Sequence, residues 1–379
     1  MFSRLYQEYV TMISNSRSEP EWVLEERLQA LSAIDNFIEE DKSQKLANDL
    51  TFLFEKTKSI KGAKKEILEH ENIGFLSLGE ILNSNKSEFY QEIFLNRFNH
   101  SFRNPQMAFL NAFFTDCTFY FVDDNTNAQI AIDSLSGLSL NFFILGNDLD
   151  FDLINSVSGL TMQSNELYTG ENCNVNSLIY QDNCKQSFVS QVNLINNFST
   201  VHANACWFGG GSGEIYNKLI GTNANGYDLE IFVADADNKL QLNSVLEHAQ
   251  LGTKGNIHIK GIGKDVSSSK SNGMIKINKN APKSESFLDQ HVILLGPNAI
   301  SEANPDLEVE NNDVSSRHAA TVSMLDEDKL FYLKSRGIEE DLAKDLLVRG
   351  FLESAVRKIK SEHMQDYVLA VLESKLQTQ

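Results

Sequence analysis

Between Met107 and Met324 the chain is cut into short alternating apolar runs by Asn and Gly, with Pro nearly absent, and that texture leaves few folds open. The runs include Ser177-Leu-Ile-Tyr180, Gly213-Glu-Ile-Tyr216, Asp228-Leu-Glu-Ile-Phe-Val233, Asn256-Ile-His-Ile-Lys260, Gly273-Met-Ile-Lys-Ile277, Gln290-His-Val-Ile-Leu-Leu295 and Asp306-Leu-Glu-Val309. Short apolar runs bounded by turn residues describe strands. Asn-Gly, the strongest hairpin signal, occurs at Asn225-Gly226 and Asn272-Gly273, too rarely to join so many strands as hairpins. Asn tolerates left-handed turns and forms amide ladders between stacked strands, so its abundance favours a solenoid. A sandwich stays open on pattern alone.

The flanks read as helix. Ser18-Glu19-Pro20-Glu21 has the form of a capping box, with Ser18 as N-cap and Pro20 in the first turn. Trp22, Val23, Leu28, Leu31 and Ile34 follow at near-helical spacing, and a second amphipathic stretch covers about 44–58. At the other end Asp326-Glu327-Asp328 suits a helix start and Arg336-Gly337 a stop. Two more apolar stripes follow, at Leu342, Ala343, Leu346, Leu347 and Phe351, then at Met364, Tyr367, Val368, Val371 and Leu372. The texture divides the chain into 1–105 helical, 106–324 β and 325–379 helical.

The 379 residues carry 33 Lys and Arg against 52 Asp and Glu, a net charge of −19. Nucleic-acid binding needs clustered cations, so that class is excluded, and an anionic membrane surface fits poorly. The N-terminus shows no uninterrupted apolar core of a secretory leader, and no run approaches a transmembrane helix; the longest, Met107 to Phe114, is broken by Asn111. The expected address is cytoplasmic. Cys117, Cys173, Cys184 and Cys206 lie scattered without a C-x-x-C pair and read as free thiols. The spacing of the last three would also allow thiols to stack along a solenoid.

Few residues suggest chemistry. Asp148-x-Asp150-x-Asp152 begins like a calcium loop, but Leu153 and Gly159 occupy positions that need Gly and Glu. Alternation explains it better, with Leu149, Phe151 and Leu153 inward. Gly209-Gly210-Gly211-Ser212-Gly213 lacks the Lys-Ser/Thr of a phosphate loop and reads as a turn. Asp235 and Asp237, two apart on one strand face, would suit acid–base cleavage of a polysaccharide on a solenoid. His318, near a strand end, reads first as a structural histidine.

Ordered blocks then carry a resemblance. Leu294-Leu-Gly-Pro-Asn-Ala-Ile, Asn304-Pro-Asp-Leu-Glu-Val-Glu, Asn312-Asp-Val-Ser-Ser-Arg-His-Ala-Ala-Thr-Val, Leu325-Asp-Glu-Asp-Lys-Leu-Phe-Tyr-Leu-Lys-Ser-Arg-Gly-Ile and Leu346-Leu-Val-Arg-Gly-Phe-Leu resemble the SufB/SufD family of iron–sulfur cluster assembly. The dense match spans about 281–360, with weaker echoes at Glu19 to Trp22, Leu110 to Asp116 and Val245 to His248. Within the family the chain is most similar to SufD. Ala319 stands where SufB tends to have Glu, and Leu333 where it tends to have Cys.

The resemblance implies a right-handed parallel β-helix flanked by an N-terminal helical region and a C-terminal helical domain. It implies a non-catalytic scaffold that pairs with a SufB-like paralogue through the β-helix and with a SufC-like ABC ATPase through the C-terminal helices. Phe331, Arg336, Leu346, Leu347 and Phe351 are the candidate docking residues. It implies no tightly bound cofactor, but a transient iron–sulfur cluster at the partner interface, where His318 is the candidate contact and metal ligand. Ser316 replaces the Cys often found two residues before that His, and Cys117 stands where Gly is common. Two other readings stay open: a self-pairing homodimer of the same kind, and a solenoid enzyme using Asp235 and Asp237.

Overall fold

The computed structural model describes residues 2–41, 44–58, 63–83, 88–89, 91–95, 104–184 and 187–377. Its body is a parallel β-helix, as the resemblance implies. After β3 (Asp116–Val122), strand β4 (Ala128–Leu145) runs through both faces, bending at Gly137, where φ is +131°. Its first half pairs with β5 (Asp150–Val157) and its second with β6 (Thr161–Tyr168), both parallel. The pattern then repeats coil by coil. One sheet, A, continues through β7 (Asn174–Cys184), β9 (Thr200–Gly209), β11 (Asn225–Ala234), β13 (Lys254–Gly263), β15 (Glu285–Leu294) and β17 (Ser315–Met324). The other, B, continues through β8 (Phe188–Ile195), β10 (Gly211–Leu219), β12 (Lys239–His248), β14 (Ser268–Ile277) and β16 (Ile300–Val309).

One corner shows why Asn is so common. Asn125, Asp148, Asn172, Phe198, Asn223, Gly252 and Lys283 all have φ between +55° and +70°, one per coil. Each donates its backbone N–H to a carbonyl of the next coil at 2.5–3.0 Å. Asn, Asp and Gly tolerate that conformation best, so five of these seven positions carry the expected residue types. Side-chain ladders fix the register. Asn172, Asn174 and Asn176 donate to Asp148, Asp150 and Asp152 at 3.0, 3.1 and 2.9 Å, which is the role of the supposed calcium loop. Inside the coil Asn141 donates to Asn165 at 2.9 Å and Asn193 to Asn217 at 2.8 Å. Each such bond contributes only about 1 kcal/mol net, but a slip of one residue would turn every inward side chain outward.

The coil packs Phe143, Phe151, Leu167, Val189, Trp207, Phe232 and Ile257 between its sheets. Helices cover both outer faces. Helices α1 (Phe2–Ser16), α2 (Glu21–Asp41), α3 (Gln44–Thr57) and α5 (Pro105–Phe113) cluster with Leu138, Leu140, Phe142, Met162 and Phe188 on the outside of sheet B. The short α4 (Leu78–Leu82) opens with a capping box at Ser77 and Glu80. Arg27 is fully buried between these elements. Its guanidinium meets Glu19 at 2.7 Å, donates to the carbonyls of Ala112 and Phe114, and lies 3.6 Å from the Phe114 ring centroid. On sheet A, α7 (Glu340–Val356) and α8 (Glu362–Gln377) set Val348, Leu352, Val356, Met364 and Val368 against Leu178, Phe208, Leu229 and Ile231. Helix α6 (Glu327–Ser335) buries no side chain.

Three local expectations differ from what is found. Ser18 does not open α2. It closes α1 in the left-handed conformation (φ +53°), with Ser18 N–H donating to the Asn15 carbonyl and Glu19 N–H to the Ser14 carbonyl. That is a helix C-terminus, and the Pro20 carbonyl begins α2 by accepting from Val23 at 3.0 Å. The thiols do not stack either. Cys173 lies in the coil interior, Cys206 lies under the C-terminal helices, and Cys184 lies beside Gly209 at a bend. Within the stretch read as helical, β1 (Lys64–Glu71) and β2 (Gly74–Ser77) pair antiparallel with β4 and β3.

The coil also buries a carboxylate pair that no pattern announced. Asp228 and Glu230 point inward from β11. Glu230 accepts from Trp207 Nε1 at 2.6 Å and from Ser244 Oγ, whereas both Asp228 oxygens have no partner. Burial, then the charge of Glu230, pushes the Asp228 carboxyl well above its ordinary range. An unfolded Asp ionises near pH 3.9 while the folded one keeps its proton, so stability falls as pH rises past that value. Asp228→Asn is predicted to raise the calorimetric midpoint by roughly 2–4 °C at pH 8 and by much less at pH 3; a gap independent of pH would contradict this origin. All four cysteines are buried, and burial raises the Cys173 and Cys184 thiols and pushes Cys206 up to about 12. A thiol reagent at pH 8 is therefore predicted to label none of them within minutes in the native chain and all four in urea.

Candidate functional site at the open end of the solenoid

A β-helix exposes unpaired strand edges at each end unless something covers them. At the N-terminal end β1 and β2 supply that cover as antiparallel strands. Lys65 adds a plug from β1, its Nζ donating to Asp116 and Thr118 at 2.8 Å each and to Asn141 at 3.1 Å. The C-terminal end is different. Strand β16 pairs with β14 and β17 with β15, and no further ladder follows among the described residues before the chain leaves into α6.

The last coil therefore shows its interior to solvent. Leu307 and Val309 continue the rows of Ile275 and Ile277, and Val322 continues that of Val292. The earlier residues of these rows are buried, yet Val309 is 46% exposed and Val322 39%. His318 belongs to this surface. It stands in register on Leu288, exposed, at an inward position of the final strand. Next to it Ser316 and Ser286 share a hydrogen bond of 3.1 Å, and Arg317 faces the other way, 4.6 Å from the Phe287 ring centroid. Below, Gln290 is buried with both its amide atoms unpartnered.

Among the described residues His318 has no companion ligands. Among the described residues no group of three His, Cys, Asp or Glu could hold a metal ion. The cysteines are buried, three of them with raised thiols, and Ser316 offers a hydroxyl where a soft ligand would be needed. What the open end presents is one exposed imidazole nitrogen donor framed by apolar and hydroxyl groups.

The candidate docking residues separate into two sets. Phe331 on α6 is 74% exposed, with Tyr332, Leu342 and Leu346 also exposed nearby in sequence. Arg336 caps α6 and lies 5.1 Å from the Tyr332 ring centroid. Leu347 is half-buried, and Phe351 turns to the solenoid instead. There Lys260 donates to the Phe351 carbonyl at 3.3 Å and to Ser354 Oγ at 2.6 Å, anchoring the end of α7. A groove lined by Leu294, Leu295, Met324, Leu330, Leu342 and Arg349 runs between these helices and the coil. Tyr332 and Leu342, both exposed, are not among the candidate docking residues of the sequence, because a helical stripe names a face but not which face is covered.

The alternative acid pair, Asp235 and Asp237, does not share a strand face. Strand β11 ends at Ala234, and Ala236 takes φ +48°, so both carboxylates sit in a corner turn. Asp235 accepts from Asn238 Nδ2 at 2.9 Å and pairs with Lys264 at 3.9 Å, a turn-stabilising role. No helix among the described residues is long and apolar enough to cross a membrane.

Residues 144–351, from the second half of β4 into α7, match the family described as "SUF system FeS cluster assembly, SufBD core domain". Among curated proteins, the iron–sulfur cluster assembly protein SufD of Bacillus subtilis is 31% identical over 163 residues, 43% of this chain and 37% of that protein. An iron–sulfur cluster assembly SufBD family protein of Mycobacterium tuberculosis is 30% identical over 145 residues, 38% of this chain and 17% of that protein. One of Staphylococcus epidermidis is 28% identical over 179 residues, 45% of this chain and 38% of that protein. The matched stretches span well under half the length of these relatives. With the match covering more than half of the chain and following its coils, the protein belongs to the SufBD family of iron–sulfur cluster assembly proteins.

Proposed function

We propose that this chain is a SufD-like, non-catalytic scaffold that works in the cytoplasm. Its open terminal coil pairs with a SufB-like paralogue, and α6 and α7 dock a SufC-like ABC ATPase. The observation that carries the reading is the uncovered C-terminal end of the coil with His318 on it, in a chain of this family. Unpaired strand groups and exposed core residues want a cover, and a second β-helix supplies one in kind.

In this reading the iron–sulfur cluster is cargo rather than a resident cofactor. A neutral imidazole is a competent iron ligand, so His318 would contribute one donor and the paralogue the thiolates. The exposed Phe331, Tyr332 and Leu346 would bind the ATPase, with Arg336 at their edge. Phe351 and Lys260 would transmit its movement, because they fasten α7 to the coil.

Purification of the chain from its native cell tests the partners: a SufB-like paralogue and an ABC ATPase are expected to accompany it, and a chain that emerges alone contradicts the role. Phe331→Ala is expected to weaken the ATPase about tenfold or more while leaving the paralogue bound. His318→Ala is expected to slow cluster build-up on the reconstituted complex without dissociating it. An unchanged rate would remove His318 from the site.

A further inference from the structure

The outer face of sheet B carries charges that alternate from coil to coil. Lys218, Glu247, Lys276 and Glu308 occupy one row in register. Lys218 meets Glu247 at 3.5 Å and Lys276 meets Glu308 at 3.0 Å. A second row ends with Lys270 meeting Glu302 at 3.3 Å. Between them Asn304 donates to Asn272 at 3.0 Å and Asn272 to Asn243 at 2.8 Å. All three rows stop at β16, whose exposed outward face reads Glu302, Asn304, Asp306 and Glu308. The next strand in this series would carry cations opposite Glu302 and Glu308 and an amide donor opposite Asn304.

We propose that β16 is a charge-selective edge. It takes the terminal strand of a second β-helix bearing Lys or Arg at those two positions, and it disfavours another copy of this chain. In a two-fold antiparallel pair, outward residues must meet outward residues. Two registers overlap the ten-residue strand along nearly its whole length. One sets Glu302 against Asp306 of the second copy and the other sets Glu302 against Glu308, and symmetry doubles each clash. Like charges directly opposite destabilise a strand pair, and because these groups are exposed the repulsion is screened by salt. That the favoured partner is a paralogue rests on the scaffold role proposed above; the bias against self-pairing does not.

Sedimentation of the full chain alone, at about 50 and 500 mM NaCl, tests the bias. Wild type is expected to associate weakly, and more tightly in high salt. Asp306→Lys is the informative variant, since Asp306 stands opposite Met274 and makes no ion pair among the described residues, so no existing row is cut. It should lower the dimer Kd at low salt about tenfold, with the salt trend reversed. Wild-type association that weakens with salt, or a variant no tighter than wild type, overturns the proposal. In the native cell, Glu302→Lys/Glu308→Lys, shown by circular dichroism to be folded, should lose the paralogue that wild type retains. Retention overturns the edge assignment; no paralogue with wild type overturns the scaffold role instead.

Discussion

A stacked coil meets its backbone hydrogen-bonding needs only through its neighbours. Every strand from β4 to β15 is hydrogen-bonded along both edges, so no coil is stable as a unit and the two ends set the terms for the rest. The N-terminal end is satisfied inside the chain, by two antiparallel strands and the Lys65 ammonium. The C-terminal end is satisfied by nothing among the described residues. That asymmetry, more than any reactive side chain, gives the molecule a direction.

The interior is not uniformly apolar. Asn and Gln rows, Ser residues and the Asp228–Glu230 pair occupy inward positions that Val or Ile could fill. Hydrogen-bonded rows repeat only at the right register, so they trade some cohesion for uniqueness. Asp228 and Gln290 depart from this, since both polar atoms of each side chain are buried without a partner. The outer faces follow another logic: both are apolar where helices lie, and charged in alternation on sheet B where they do not.

Much of this was legible beforehand. Strand-sized runs, rare Asn-Gly pairs and abundant Asn pointed to a solenoid, and the left-handed corner at Asn125, Asn172 and Asn223 is the physical reason. The inward set Leu149, Phe151 and Leu153 followed from period-two alternation. What stayed hidden depends on contacts between distant residues. Ser18 was misplaced because one Ser-x-x-Glu string serves equally as the start of one helix or the end of another. Asp235 and Asp237 looked paired only while the strand was extended past Ala234. Asp228 was hidden because alternation cannot tell an inward carboxylate from an outward one. The exposed position of His318 was illegible for the same reason: its strand reads like an interior one until the next coil fails to arrive.

The proposed pairing would complete this protein by another across β16 and β17, on the open coil of a SufBD-family chain. Amide hydrogen exchange across 300–324, with and without the co-purified complex, examines that pairing most directly. Amides of β16 and β17 are expected to slow markedly in the complex while those of β5 to β11 keep their rates. Unchanged exchange at β16 and β17 in an intact complex would contradict it.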